Sequence, residues 1–287
     1  MLQLIAKSVW TELEIGDRIR RGASGIEVQI LNPGTDPFMK EGWYDVSLAK
    51  YVMAVHTPLV SCGGYTDDYG IETERGRDMA DEVIKRASRI ASGPRLNCDP
   101  VKIILHLDTP LDGLKDSGEY DRLIRWLRNK AEEHPELELY VENTIMETDQ
   151  PCTCADIARI VNMMNVGTCL DICHAQMTDY LTGGKFPLDE FYRQMKGTLR
   201  WIHMSKATDE GEGYGNGTGH GHSLSRYNKE DLSLLGNIFM LNELSGYSGG
   251  ICLEVQERNY NSAVNFTKTK EACESAVAVF YPEKLAG

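Results

Sequence analysis

Asp171 and His174 follow an apolar run, Val166 to Leu170, that reads as a buried strand. The carboxylate falls at the strand's C-terminal tip and the imidazole in the loop or first helical turn beyond it, so two metal-ligand types share one rim. The same figure recurs along the chain. Ala54-Val55 leads into His56, Ile104-Leu105 into His106, Tyr140-Val141 into Glu142, Trp201-Ile202 into His203 and Cys252-Leu253 into Glu254. A loop from Thr208 to Ser223, with six glycines, adds His220-Gly221-His222. Six of the seven histidines belong to this set; only His134, between Glu133 and Pro135, lies outside it. Singly, each has an ordinary reading: a hydrogen-bonded rim histidine, a glutamate paired with a base, a glycine-rich surface loop. Together they point to metal, because carboxylates flanked by apolar strand are costly to desolvate unless ionically compensated. Imidazole with carboxylate suits Zn²⁺, Mn²⁺ or Fe²⁺.

The nine candidates His56, His106, Glu142, Asp171, His174, His203, His220, His222 and Glu254 are too many for one tetrahedral ion. They predict two or three ions bridged by a carboxylate. Ions about 3.5–4 Å apart suit in-line phosphoryl displacement. A single-ion sugar isomerase needs fewer ligands.

Strand ends require strands. Eight are expected, at Leu2–Lys7, Gly25–Leu31, Val52–His56, Lys102–Leu107, Leu137–Glu142, Gly167–Asp171, Arg200–Met204 and Gly250–Val255. Amphipathic segments between them predict helices over Thr11–Arg20, Thr73–Ala91, Glu119–Glu133, Thr153–Met164, Leu188–Lys196, Glu230–Leu244 and Ser262–Phe280. Thr153 with Asp156 resembles a capping box. Strands alternating with helices at this length predict a single (β/α)8 TIM barrel over residues 1–287. The open doubly wound sheet is the rival, but no glycine-rich dinucleotide fingerprint follows an early strand. Barrel enzymes carry their reactive groups at the strands' C-terminal ends, where the candidate ligands fall.

The formal charge of −13 argues against binding nucleic acid through bulk electrostatics, although clustered carboxylates around divalent ions inflate the count. No apolar run approaches the roughly 20 residues of a membrane span, and the N-terminus lacks the signature of a signal peptide. The expectation is a cytoplasmic protein with no membrane association. The eight cysteines fit that: several lie in expected strands, and Cys152-Thr153-Cys154 has no second pair at zinc-finger spacing.

The ligand set resembles the endonuclease IV family, within the wider xylose isomerase-like barrel superfamily. The most specific stretches are Glu142-Asn143-Thr144 and Asp171-Ile172-Cys173-His174-Ala175; the His56 strand, Leu105-His106, Ile202-His203-Met204, His220-Gly221-His222 and Leu253-Glu254 also match. The resemblance implies three zinc ions and cleavage of DNA on the 5′ side of abasic sites. It places one ion on His56, His106 and bridging Glu142, a second among Glu142, Asp171, His203 and Glu254, and a third on His174, His220 and His222. Glu142, Asp171 and Glu254 are then the carboxylates expected in catalysis. The family has Asp-x-His where this chain has His220-Gly221-His222, which removes one negative charge from the third site.

The DNA-reading segments do not match. The loop after the second strand, Asn32 to Lys40, has one basic residue, and Trp43 and Tyr44 either stack on a base or pack in the core. Gly25-Ile26-Glu27-Val28 looks more like the second strand of the superfamily's sugar isomerases and epimerases, which leaves Glu27 either facing substrate or in a salt bridge. The leading expectation is therefore a zinc-dependent phosphodiesterase, with abasic DNA as first substrate. The alternative is a sugar isomerase or epimerase with one divalent ion on Glu142, Asp171, His203 and Glu254, the two glutamates shuttling protons. A non-enzymatic metal-binding barrel that acts through a partner is the third.

Overall fold

A computed structural model describes residues 3–58, 60–61, 65–96, 99–208, 219–257 and 261–281, with backbone alone at 60–61, 65–68, 208 and 219–220. The described strands are β1 (Leu4–Ser8), β2 (Gly25–Gln29), β3 (Val52–His56), β4 (Val60–Ser61), β5 (Tyr65–Asp68), β6 (Val101–His106), β7 (Leu137–Glu142), β8 (Val166–Asp171), β9 (Leu199–Met204), β10 (Lys206–Thr208), β11 (Gly219–His222) and β12 (Ile251–Leu253). The helices are α1 (Glu12–Arg20), α2 (Val46–Ala49), α3 (Glu74–Ala91), α4 (Leu111–Ser117), α5 (Tyr120–Glu133), α6 (Thr153–Val161), α7 (Ile172–Leu181), α8 (Leu188–Gln194), α9 (Lys229–Ser245) and α10 (Val264–Phe280). Eight strands close into a parallel barrel in the order β1-β12-β9-β8-β7-β6-β3-β2, the eight expected from sequence. Two antiparallel hairpins, β4–β5 and β10–β11, rise beyond β3 and β9.

The barrel follows from the period-two alternation of strand residues. One set of side chains packs outward under the helices, as Leu4, Val28, Val55, Ile103, Val141, Leu170 and Ile202 do. The other fills the interior with Ile5, Met53, Ala54, Ile104, Tyr140, Cys169, Trp201 and Cys252. Most of these interior residues stand two positions before a charged or imidazole side chain: Ile5 before Lys7, Ala54 before His56, Ile104 before His106, Tyr140 before Glu142, Cys169 before Asp171, Trp201 before His203 and Cys252 before Glu254. The candidate ligands are thus the uppermost layer of the barrel interior.

Local chemistry sets the helix starts. Thr11 accepts from the Glu14 amide and Thr73 from the Gly76 amide, while Asn228 accepts from the Glu230 and Asp231 amides. The expected capping box at Thr153 does not form. Cys152 is the cap residue, and the Thr153 hydroxyl instead accepts from the Leu111 amide at 3.1 Å and donates to the Gln150 carbonyl at 3.0 Å. That helix also stops at Val161, because Asn162 turns left-handed at φ 51° and caps it before Met164. Among the described residues, no helix is long and apolar enough to cross a membrane.

Candidate metal centre

Glu142 ends β7, fully buried, and its two oxygens face different neighbours. Oε2 lies 3.2 Å from His56 Nε2 and 3.2 Å from His106 Nε2, and those two nitrogens are 3.1 Å apart. Oε1 lies 2.9 Å from His203 Nδ1 and 3.8 Å from His174 Nδ1. Glu254, just past β12, brings Oε2 to 2.8 Å from the same His203 nitrogen, and Asp171 Oδ2 is 3.9 Å away from it. Ligand atoms of His56, Glu142, His203 and Glu254 all lie within 4.8 Å of one another, as do those of Glu142, Asp171 and His174.

Backbone and neighbouring side chains aim these groups. Asp171 caps α7, with Oδ1 accepting from the His174 amide at 2.7 Å, which leaves Oδ2 turned to the cluster. The Asn143 side chain clamps β7 to β8: its Oδ1 accepts from the Asp171 amide at 2.7 Å and its Nδ2 donates to the Asp171 carbonyl at 3.1 Å. The Asn143 carbonyl accepts from His174 Nδ1 at 2.9 Å. His56 Nδ1 donates to the Thr57 carbonyl at 2.8 Å, so its Nε2 lone pair points at His106 and Glu142.

His203 is oriented from behind. Its Nε2 lies 3.0 and 3.1 Å from the two oxygens of Glu27, a fully buried carboxylate that also accepts from Trp201 Nε1 at 2.8 Å. With Nε2 donating to Glu27, the Nδ1 lone pair faces the oxygens of Glu142, Glu254 and Asp171. Asp171 Oδ2 and Glu254 Oε2 are buried without a hydrogen-bond donor. His203 Nδ1 and three carboxylates converging in a dry site require positive charge between them, a proton on His203 or a cation that displaces it, and the donor set of one imidazole and three carboxylates fits a divalent cation.

With no ion bound, the imidazoles and Lys7 supply the charge that offsets the carboxylates. Burial would raise the carboxyl of Glu27, but His203 and Lys7 pull it down to about 2. The Glu142 carboxyl is held well below its usual range by His203 and His106 despite burial, and that of Glu254 by Lys7 and His203. Burial pushes His106 down to about 3, leaving it a neutral, ligand-competent imidazole, while carboxylates hold His174 and His203 up against burial.

Of the nine candidates from sequence, seven meet at this mouth: His56, His106, Glu142, Asp171, His174, His203 and Glu254. His222 ends β11, half-buried and paired with Lys206 across the hairpin, and it belongs to none of the clusters among the described residues. The His220 side chain lies outside the described residues. The hairpin still leans on the rim, where the Gln256 amide donates to the Gly221 carbonyl at 2.9 Å.

Sequence reasoning missed Lys7. Its ammonium is buried and ion-paired with Glu254 and, at 3.7 Å, with Glu27, and these two carboxylates outweigh burial to hold it charged. The signal was present: Lys7 stands in β1 two residues after inward-facing Ile5, the register of every ligand that ends a strand. Glu27 takes the salt-bridge reading. Trp43 takes the core reading, with ring centroids 5.5 Å from Trp10 and 4.6 Å from Phe38.

Residues 22–274 match the family described as xylose isomerase-like TIM barrel, and the chain belongs to that family. No curated protein matches the sequence. Among solved structures, the chain is similar to a D-tagatose 3-epimerase-like protein, with a TM-score of 0.60 and 16% identity over 99% of this chain and 100% of the other. It is also similar to the IOLI protein with a bound zinc atom (TM-score 0.62, 14% identity, 98% and 99% covered). A third is a xylose isomerase-like TIM barrel protein from Mycobacterium smegmatis in complex with magnesium (TM-score 0.59, 11% identity, 98% of each chain).

Proposed function

We propose that the chain is a divalent-metal-dependent isomerase or epimerase acting on a small sugar. The observation that carries this reading is that Glu142 and Glu254, from the ends of β7 and β12, both reach the same His203 nitrogen, at 2.9 and 2.8 Å. Glu142, Asp171, His203 and Glu254 would hold the cation, which when bound supplies Lewis-acid polarisation of the substrate's carbonyl oxygen. One glutamate then takes the proton from the carbon next to that carbonyl, and the electron pair left behind delocalises toward the carbonyl oxygen. The other glutamate returns a proton, to the opposite face of the same carbon in an epimerase or to the neighbouring carbon in an isomerase. Lys7, touching Glu254, keeps that carboxylate ionised between turns. The names of similar structures, an epimerase-like protein and metal-bound barrels among them, support the same chemistry.

The experiment is solvent exchange: ketohexoses and aldohexoses incubated in D2O with the divalent-metal-loaded chain, followed by NMR. Deuterium entering at the carbon next to the carbonyl, and lost in Glu254→Gln, is expected. No exchange in any sugar, with phosphodiester cleavage instead, overturns the reading.

One observation favours a second reading, the endonuclease IV-like phosphodiesterase. His56 Nε2, His106 Nε2 and Glu142 Oε2 form a triangle of 3.1–3.2 Å edges, the spacing of three ligands on one zinc ion. It predicts two to three metal equivalents per chain by elemental analysis and nicking of abasic DNA. The isomerase reading predicts one equivalent, with His56 and His106 as substrate contacts. Trp43 packed in the core and the net charge of −13 weigh against a DNA surface.

A further inference from the structure

A cavity of about 510 Å³ opens at the other end of the barrel, among the N-terminal ends of the strands. Its wall includes Lys102 near the start of β6, Glu138 and Tyr140 on β7, and Arg200 and Trp201 on β9. The volume falls within the range of small-molecule sites. Its charge is unlike the rest of the chain. Lys102, Lys196 and Arg200 face two acids, Asp99 and Glu138, so cations are in excess here in a protein of net charge −13.

The polar groups are built in. The Lys102 side chain is 10% exposed, and its ammonium is 3.9 Å from Glu138 Oε2, an ion pair without a hydrogen bond. Burial lowers its pKa, so the surroundings compensate the charge only in part. Glu138 is engaged by the Tyr140 hydroxyl. The stem of Arg200 lies on Gly167, where an added Cβ would meet Arg200 Cγ at 2.5 Å, and Arg200 Nη1 donates to the Leu199 carbonyl at 3.0 Å. The Tyr192 and Tyr247 hydroxyls donate to Asn242 Oδ1 at 2.6 Å and to the Gly250 carbonyl at 2.5 Å, so their oxygens keep lone pairs for a ligand's hydroxyls. Trp201, lying against Gly250 with 2.7 Å from Cζ3 to an added Cβ, offers an apolar surface at the inner end.

We propose that this cavity binds a small hydroxylated organic anion, a sugar acid or a sugar phosphate. Lys102, Lys196 and Arg200 take the anionic head, and the acids and tyrosine oxygens take the hydroxyls. A neutral sugar would leave the buried ammonium only partly compensated by Glu138, and an apolar acid would leave the hydroxyl partners unused. The site is one side chain from the metal centre, since Trp201 lines the cavity and its indole N–H holds the Glu27 carboxylate behind His203.

The test is calorimetric titration of the full chain with gluconate, glucose 6-phosphate and glucose. Saturable binding of one or both acids, at least tenfold tighter than glucose, is expected, and which acid binds tells carboxylate from phosphate. Arg200→Gln and Lys196→Gln, both at exposed positions and checked for the native fold by circular dichroism, should each weaken it at least tenfold. Glu142→Gln, at the opposite end, should leave it unchanged. The proposal is overturned by no saturable binding at millimolar acid, by equal binding of glucose, by binding undiminished in both cation variants, or by binding lost in Glu142→Gln, which would put the acid at the metal centre.

Discussion

Replacing Glu27 by glutamine isolates what the buried network behind His203 contributes. Two N–H donors converge on this side chain, Trp201 Nε1 at 2.8 Å and His203 Nε2 at 3.0–3.1 Å, with the Lys7 ammonium 3.7 Å from Oε1. A carboxylate accepts from both N–H groups and pairs electrostatically with the ammonium; an amide has one acceptor oxygen and one donor nitrogen. With its oxygen kept at the Oε2 position, the amide nitrogen faces Lys7 and the His203 N–H. Flipped, it faces Trp201. In the first orientation Lys7 loses its pairing with Glu27, and in the second Trp201 Nε1 loses its acceptor, a cost of about 1–3 kcal/mol; in both, the anion that holds the His203 N–H becomes a neutral amide and fixes the ring less firmly. Loss of such a supporting carboxylate lowers metal affinity about 10–100-fold, or about 1.4–2.8 kcal/mol. Competition with a chromophoric chelator for Zn²⁺ reads the affinity, and circular dichroism with melting in excess metal confirms that the variant is folded. A folded Glu27→Gln protein with wild-type zinc affinity would refute the claim that Glu27 orients a metal ligand.

Three further outcomes follow from the structure. Lys7→Met leaves Glu27 and Glu254 without their buried cation; the metal-free chain should lose about 3–5 kcal/mol, and the loss should shrink in saturating metal because the ion supplies the missing charge. Equal losses by urea denaturation with and without metal would count against this. Burial acts to raise the Asp17 carboxyl, but the Ala263 amide and Arg21 outweigh it and hold it below the usual 3.8. Its stabilisation is therefore complete above 3.8 and is lost as pH falls through the lowered value, so Asp17→Asn should flatten the acid limb of Tm against pH. An unchanged acid limb would refute the assignment. Gly76→Ala would set a Cβ 1.9 Å from the Gly70 carbonyl oxygen, where the start of α3 meets the 69–70 backbone; a loss of about 1–3 kcal/mol is expected, and wild-type stability would show that the contact relaxes freely.

The barrel was legible because its strands are apolar on both faces and end on ligand-type residues, so a one-dimensional pattern carried the architecture. Where several layers of side chains compete, the pattern failed. Only the first turn of α7 is legible in the sequence, because Ile172, Cys173, Ala175, Met177 and Thr178 bury much of its circumference and erase the amphipathic period. The capping box at Thr153 was expected on local spacing, but a long-range partner, the Leu111 amide, took the hydroxyl. Lys7 is hard to read because a lysine in an apolar run suggests a solvent-facing side chain, whereas the period-two register from Ile5 turns it inward. Glu27 stands out in the sequence as a carboxylate within an apolar strand, but its partners Trp201 and His203 lie 174 and 176 residues away, and only the closed barrel brings them together.

Charge ties the number of ions to the kind of substrate. Glu142 borders both halves of the site, Oε2 toward His56 and His106 and Oε1 toward His203. With the imidazoles counted as neutral ligands, the carboxylates of Glu27, Glu142, Asp171 and Glu254 set against the Lys7 ammonium leave three negative charges at the mouth. One divalent ion leaves a single negative charge, which suits a neutral sugar and repels a phosphodiester. Three ions reverse the sign and favour an anionic substrate, at the expense of crowding cations against buried Lys7. That ammonium already supplies, without any metal, part of the charge that additional ions would bring. On the isomerase reading proposed above, the buried cation beside the Glu254 carboxylate favours fewer ions and an uncharged substrate, and metal number and substrate charge should be found to change together.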